Sequence, residues 1–268
     1  MDKTIGFIGS GNMATAMIGG ILNSKLVSSN NVMCSDLSKE KLEILNKKYG
    51  VITSTDNCEV AQKADVLVLS VKPQFYPTVI EEIKNEVNDN TIIVVIAAGQ
   101  KIEIIKKLFG KEIKVVRAMP NTPALVGEGM AALCPCPMIL PNELDLICNI
   151  FNSFGKCEVI SEKLMDAVTA VSGSSPAFIF MIIEAMADGA VLEGMPRNIA
   201  YNFAAQTVLG SAKMVLETGK HPGELKDMVT SPAGTTIEGV KVLEENGLRG
   251  TIIKAIHETA EKSRKLSK

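Results

Sequence analysis

The apolar run Thr4-Ile5-Gly6-Phe7-Ile8 ends on Gly9-Ser10-Gly11-Asn12-Met13-Ala14. A short apolar run reads as a buried strand, and the helical spacing of apolar residues from Asn12 to Ser24 reads as a helix. A strand, a tight glycine turn and a helix, in that order at the start of a chain, leave few folds open. Gly9 permits the turn, Gly11 lets backbone approach a pyrophosphate, and Ala14 lets helix and strand pack closely. The free N–H groups of the helix start then face the phosphates. Ile8, Gly9, Ser10, Gly11, Asn12 and Met13 are the candidate contacts. A turn with no ligand can use the same residues, so the pattern gains weight only as the first turn of an alternating fold.

That alternation is present. Strand-like runs are Thr4–Ile8, Val32–Ser35, Asp65–Val71, Thr91–Ala97, Ile113–Arg117, Met130–Cys134 and Cys157–Ile160. Several are continuously apolar, as a sheet buried on both faces requires. Amphipathic stretches lie between them, among them Asn12–Ser24, Ser38–Tyr49 and Lys101–Phe109. The expectation is an α/β doubly wound parallel sheet over residues 1–160. From Ser161 onward the strand pattern stops. Candidate helices are Ser161–Val171, Pro176–Glu193, Pro196–Thr218, His221–Val229, Thr235–Asn246 and Leu248–Lys265, giving an all-α domain over residues 161–268.

Composition excludes several partners. Lys and Arg number 28 against 30 Asp and Glu, and no basic run interleaves with aromatics, so nucleic acid is not expected. The most apolar stretch, Ala177–Ile183, is followed by Glu184 and Asp188 and falls far short of the ~20 residues that span a bilayer. The N-terminus does not read as a signal peptide. Cys134-Pro-Cys136 is the only close cysteine pair, and the two histidines, His221 and His257, lie far downstream. No metal site is expected, and a cytoplasmic protein with reduced thiols is.

The ends of the later strands point to one crevice. Asp36 ends the second strand, where a carboxylate binds a ribose 2′-hydroxyl and repels a 2′-phosphate. It leans towards NADH over NADPH, although Lys39 could offset its charge and Asp36 could simply cap the next helix. Val71-Lys72-Pro73, Ala97-Ala98-Gly99 and Met119-Pro120-Asn121 end three further strands. Such residues also make ordinary turns. Beside a dinucleotide loop they read together as a binding edge.

Two small, polar segments interrupt the helical half. One is Val171-Ser172-Gly173-Ser174-Ser175-Pro176, read as a break before an apolar helix. The other is Thr230-Ser231-Pro232-Ala233-Gly234-Thr235-Thr236. Each would feed a helix N-terminus, where free N–H groups bind anions. One hydroxyl suffices to cap a helix, and the second segment has four.

With GFIGSGNM, SVKPQ, IAAG, RAMPNTPA, SGSSPAF, EAMADGAV, GMPR, HPGELKDMVTSPAGTTIEG and VLEENGLRG in order, the chain resembles the pyrroline-5-carboxylate reductases over essentially its whole length. The last third is the most specific part. The resemblance implies a Rossmann domain joined to a helical dimerisation domain, with dimers often assembled into decamers. It implies reduction of L-Δ1-pyrroline-5-carboxylate to L-proline by NADPH or NADH, the final step of proline biosynthesis.

By the same matching, Thr235 and Thr236 hold the substrate carboxylate through their N–H groups, beside Ser231 and Gly234. The Thr236 hydroxyl, the one catalytic candidate, reaches the ring nitrogen. Glu162, Ser172, Gly173, Ser174 and Ser175 line the substrate pocket, while Asn57, Val71, Lys72, Pro73, Ala97 and Ala98 contact the cofactor. Asp36 stands where some relatives have serine, Phe178 where tyrosine is common, and Met228 where some have a polar residue. The competing reading as a β-hydroxyacid dehydrogenase expects a lysine on the helix after Pro176, and Ala177–Glu193 has none. A non-catalytic sensor is the other alternative, and it predicts a degraded Thr230–Thr236 loop.

Overall fold

The computed structural model describes residues 2–266. Among them, eight strands form one sheet: β1 (Ile5–Ile8), β2 (Val32–Ser35), β3 (Ile52–Ser54), β4 (Val66–Leu69), β5 (Ile92–Val95), β6 (Lys114–Met119), β7 (Gly129–Pro135) and β8 (Gly155–Val159). Their order is β3-β2-β1-β4-β5-β6-β7-β8. Strand order therefore reverses between β1 and β4, which is where a doubly wound sheet opens its ligand crevice.

Two features of this sheet were not anticipated from the sequence. β6 and β7 pair antiparallel, with Arg117 opposite Cys134. The link between them holds only a 3₁₀ turn, Thr122–Val126, too short for the crossover a parallel pair needs. β3 is an edge strand of three residues with an exposed Ile52, so it carries no buried run to read.

The helices of this part are α1 (Asn12–Asn23), α2 (Lys39–Tyr49), α3 (Asn57–Lys63), α4 (Tyr76–Ile83), α5 (Ile102–Phe109) and α6 (Pro141–Asn152). Strand side chains alternate between faces, and two cores result. Ile5, Phe7, Val66, Val68 and Val94 pack with Met17, Ile18 and Ile21 of α1 and with Phe151 of α6. Ile8, Leu67, Leu69, Ile93 and Val95 pack with α3, α4 and α5. Leu67 is fully buried, so its truncation to alanine costs about 2–5 kcal/mol.

The remaining helices are α7 (Met165–Val168), α8 (Ser175–Leu192), α9 (Arg197–Thr218), α10 (Pro222–Met228), α11 (Thr235–Glu245) and α12 (Leu248–Leu266). The expected break at Val171–Pro176 does not occur. Thr169–Ser174 instead forms a π-helical turn that runs directly into α8. From Glu162 to Leu192 the helical run is long and apolar enough to cross a membrane, which Ala177–Ile183 alone is not.

The chain divides into two compact units. The first runs through Ser174 and includes the end of α12 from Thr259; the second is Ser175–Glu258. In the first unit, the buried Ser263 on α12 donates to Asp166 Oδ1 on α7 at 2.6 Å. In the second, α8 and α9 pack through Ala187, Ala200 and Ala204. Little else there is buried: Phe180, Met181, Phe203, Leu216 and Ile253 are all more than 60% exposed.

Candidate active site

The glycine loop is held by strand ends on both sides. Gly9 N–H donates to Ser35 O at 2.8 Å, and Ser70 Oγ donates to Gly9 O at 2.7 Å. Gly9 has φ +101°, and a Cβ there would lie 2.9 Å from Ser70 O. Only glycine tolerates both constraints. Gly11 is the N-cap of α1 and supplies no side chain to cap it. A Cβ at Gly11 would meet nothing within 4 Å. The first N–H groups of α1 therefore face open space, as a phosphate site requires.

A cavity of about 380 Å³ lies beside this loop. Ile8, Gly9, Gly11, Asp36, Asn57, Val71 and Lys72 line it, all expected from the sequence. Ser10, Asn12, Met13, Pro73, Ala97 and Ala98 are not on its wall. Met13 packs on the first core and Ala97 on the second, and Pro73 opens a 3₁₀ turn. Ser10 acts through Asp36 instead. Leu37, Lys41, Ser70, Phe75, Thr78, Val79 and Glu82 complete the lining and were not anticipated. Stepping on by three from Lys72 reaches Phe75, and one more turn reaches Thr78 and Val79, because a helix lays residues three to four apart on one face.

Asp36 does not cap α2; Ser38 does. Asp36 Oδ2 accepts from Ser10 N–H at 2.8 Å and from Ser10 Oγ at 2.7 Å, and Oδ1 accepts from Ser38 N–H at 2.9 Å. Burial works to raise its pKa. The hydrogen bonds from Ser10 and Ser38, with the charge of Lys41, outweigh that and hold it below the ordinary carboxylate value. The cation on the cavity wall that acts on Asp36 is Lys41, not the Lys39 that the sequence suggested. Asn57 is fixed at both ends: its Oδ1 accepts from Ser35 Oγ at 2.7 Å and its Nδ2 donates to Glu82 Oε2 at 2.8 Å. Below the loop, burial and then the charge of Asp36 push the Cys34 thiol up to about 12. All six cysteines are free, and Cys34, Cys134 and Cys136 are buried.

Glu162 is already engaged within the first unit. Its Oε1 accepts from the N–H of Ile102, at the start of α5, and from Nη1 of the buried Arg117, each at 3.0 Å. Ser172, Gly173 and Ser174 lie in the π-helical turn, so they do not form the free helix N-terminus that the sequence implied. Ser172 Oγ donates back to Val168 O at 3.1 Å.

The Thr230–Thr236 loop lies in the second unit. Thr230 Oγ1 donates to Lys226 O at 2.7 Å, which accounts for one hydroxyl. Those of Ser231, Thr235 and Thr236 make no hydrogen bond among the described residues. The N-cap of α11 is Gly234, with no side-chain cap, so the hydroxyls are not there for capping. Gly234 N–H donates to Ser231 O at 3.1 Å, and a Cβ at Gly234 would lie 2.3 Å from Ser231 Oγ. Ala233 holds φ +56°, a strained value for a residue with a Cβ.

Comparison with known proteins agrees with this arrangement. A pyrroline-5-carboxylate reductase of Escherichia coli (strain K12) is 50% identical over 268 residues, covering all of both chains. The chain belongs to the pyrroline-5-carboxylate reductase family. Residues 162–266 match the family model for pyrroline-5-carboxylate reductase dimerisation. Residues 4–99 match that for NADP oxidoreductase, coenzyme F420-dependent. The solved pyrroline-5-carboxylate reductase of Coxiella burnetii is 36% identical, with a TM-score of 0.93 and all of both chains covered. That of Plasmodium falciparum, solved with NADP bound, is 32% identical, with a TM-score of 0.91, covering 100% of this chain and 99% of its own. The family's two-part build, a Rossmann part followed by helices, is the one seen here.

Proposed function

We infer that the chain reduces L-Δ1-pyrroline-5-carboxylate to L-proline, the final step of proline biosynthesis. The observation that carries the site assignment is the start of α11, where an uncapped helix carries hydroxyls with no partner among the described residues. The substrate is a cyclic imine with a carboxylate. The N–H groups of Thr235 and Thr236 hold that carboxylate at the positive helix end. The Thr236 hydroxyl bonds the ring nitrogen and orients the imine, while water supplies the proton. Glu162 and the Ser172–Ser175 segment are assigned to substrate binding as well.

A nicotinamide dinucleotide fits the crevice, because α1 starts uncapped and Gly11 leaves its approach open. When bound, the cofactor supplies the hydride. The backbone from Ile8 to Met13 faces its phosphates, Asn57, Val71 and Lys72 line the cavity that takes it, and Pro73, Ala97 and Ala98 contact it outside that cavity. Asp36 favours NADH, since a 2′-phosphate in this crevice meets a carboxylate held ionised. Alignment of two reactants alone can supply about 7–11 kcal/mol of barrier reduction, so no strong acid is required of the protein. Neither His221 nor His257 is assigned a part.

The chain works as a homodimer through its helical part, with five such dimers making a decamer as the larger assembly. Support comes from the apolar side chains that the second unit leaves exposed and from the dimerisation model that matches this part. The apolar run Glu162–Leu192 falls inside that matched region. We place it against a second copy, not in a membrane. Six free thiols suit a reducing cytoplasm.

The test is Thr236→Ala. Turnover should fall on the order of a hundredfold, as when one positioned donor is removed from a reacting centre, with cofactor affinity unchanged. Unchanged turnover would remove Thr236 from the scheme.

A further inference from the structure

We propose that Asn121 is a positioning residue, whose side-chain amide sets the register of the π-helical turn that carries Ser172, Gly173 and Ser174. This rests on the reading of the Ser172–Ser175 segment as part of the substrate pocket.

The need for such a residue starts in the sequence. In a regular α-helix the carbonyl of Ser172 accepts from the N–H four residues on. That residue is Pro176, which has no N–H and whose ring crowds the same carbonyl. The chain does not break there. It widens into a π-turn over Thr169–Ser174, a local insertion that is frequent at functional sites. Asn121 meets the carbonyl from outside the helix: its Nδ2 donates to Ser172 O at 3.0 Å. Its Oδ1 accepts from the N–H of Met130, in β7, at 2.8 Å.

The amide is buried, and both of its ends are fixed. Turned over, it would set oxygen against the Ser172 carbonyl and N–H against the Met130 N–H, so the network allows one orientation. Gly173 packs at the same place, where a Cβ would lie 2.5 Å from Met119 Cε. Within the turn, the hydroxyls of Thr169 and Ser172 donate back to Met165 O and Val168 O. One amide therefore ties the end of β6 and the start of β7 to the serine-bearing turn. It fixes where Ser172–Ser174 stand relative to the strand ends beyond Met119.

The test uses Asn121→Asp in the full-length enzyme. The aspartate keeps the acceptor for Met130 but sets an oxygen against the Ser172 carbonyl. KM for pyrroline-5-carboxylate should rise about tenfold, and the cofactor Kd should stay within about twofold. A protonated aspartate regains an O–H donor, so the ratio of variant to wild-type KM should shrink as pH is lowered.

Asn121→Ala with Pro176→Ala is the second variant, and it decides the matter if Asn121→Asp does not fold. The Pro176→Ala change restores an N–H for Ser172 O, so the thermal midpoint should recover relative to Asn121→Ala alone while KM stays high. An unchanged KM in Asn121→Asp, or a KM that recovers in step with the midpoint, overturns the proposal. Ser175→Ala separates it from the reading beneath it. If Ser175→Ala leaves KM for the imine unmoved, the serine segment is not in the pocket and both fall. If Ser175→Ala raises KM and Asn121→Asp does not, only the role of Asn121 falls.

Discussion

Two helices in this chain, α1 and α11, begin on a glycine with no side-chain cap, and their surroundings are unlike. The loop before α1 is tied down from outside. Ser35 and Ser70 hold Gly9, and Asp36 holds both the N–H and the hydroxyl of Ser10. The loop before α11 is held by its own turn, from Gly234 to Ser231, and by one bond from Thr230 back to α10. It keeps a strained Ala233 and three hydroxyls without a partner among the described residues. The first start is built by a sheet and is rigid before any ligand arrives. The second stores strain and leaves its polar groups open, as a site that completes its bonding on the substrate should.

The largest expected effect comes from breaking the rigid start. Gly9→Ala drives a Cβ to 2.9 Å from a backbone oxygen at φ +101°. Cofactor affinity should fall by at least a hundredfold, or about 2.7 kcal/mol, as read by titration calorimetry. Wild-type affinity in Gly9→Ala would mean the loop is not stapled as described.

Next is the tie at the start of α5. Glu162→Ala leaves the buried Arg117 without its half-exposed partner, so stability to urea should drop by about 2 kcal/mol. A loss under ~1 kcal/mol would show that the pair behaves like a surface contact.

Asp36→Ser sharpens the comparison at the rigid loop. Removing the carboxylate should move the NADH-to-NADPH ratio of kcat/KM towards NADPH by about tenfold, the size of one lost discriminating contact. No movement would take Asp36 out of cofactor choice and leave it as a loop clasp. The smallest effect belongs to the open start: Ala233→Gly releases the φ +56° strain. It should raise stability by no more than about 1 kcal/mol, because glycine also frees the unfolded chain. A loss of stability would show that the conformation is not strained.

Much of the sheet was legible because β1, β2, β4 and β5 are buried along their whole length, and burial on both faces writes itself as unbroken apolar runs. β3 was not legible, since an edge strand of Ile-Thr-Ser buries nothing distinctive. The direction of β7 was recoverable in principle from the short link at Thr122–Val126. The π-turn was misread for a physical reason. Ser-Gly-Ser-Ser-Pro is turn chemistry by local preference, and here the amide of Asn121, far off in sequence, meets the carbonyl that Pro176 would have orphaned.

At the crevice, the glycine loop, Asp36 and Lys72 were visible because strand ends carry them. Glu82 and Lys41 were not, because they reach the cavity from helices whose exposed faces look like any solvated surface. The loop before α11 stood out by its excess of hydroxyls, and the uncapped α11 shows that capping does not explain them.

The most direct measurement is steady-state reduction of pyrroline-5-carboxylate by the full chain, with NADH and NADPH compared side by side. The expected result is proline formation with a nicotinamide cofactor and a higher kcat/KM for NADH. Absence of turnover with either cofactor would contradict the assignment of this site as a pyrroline-5-carboxylate reductase.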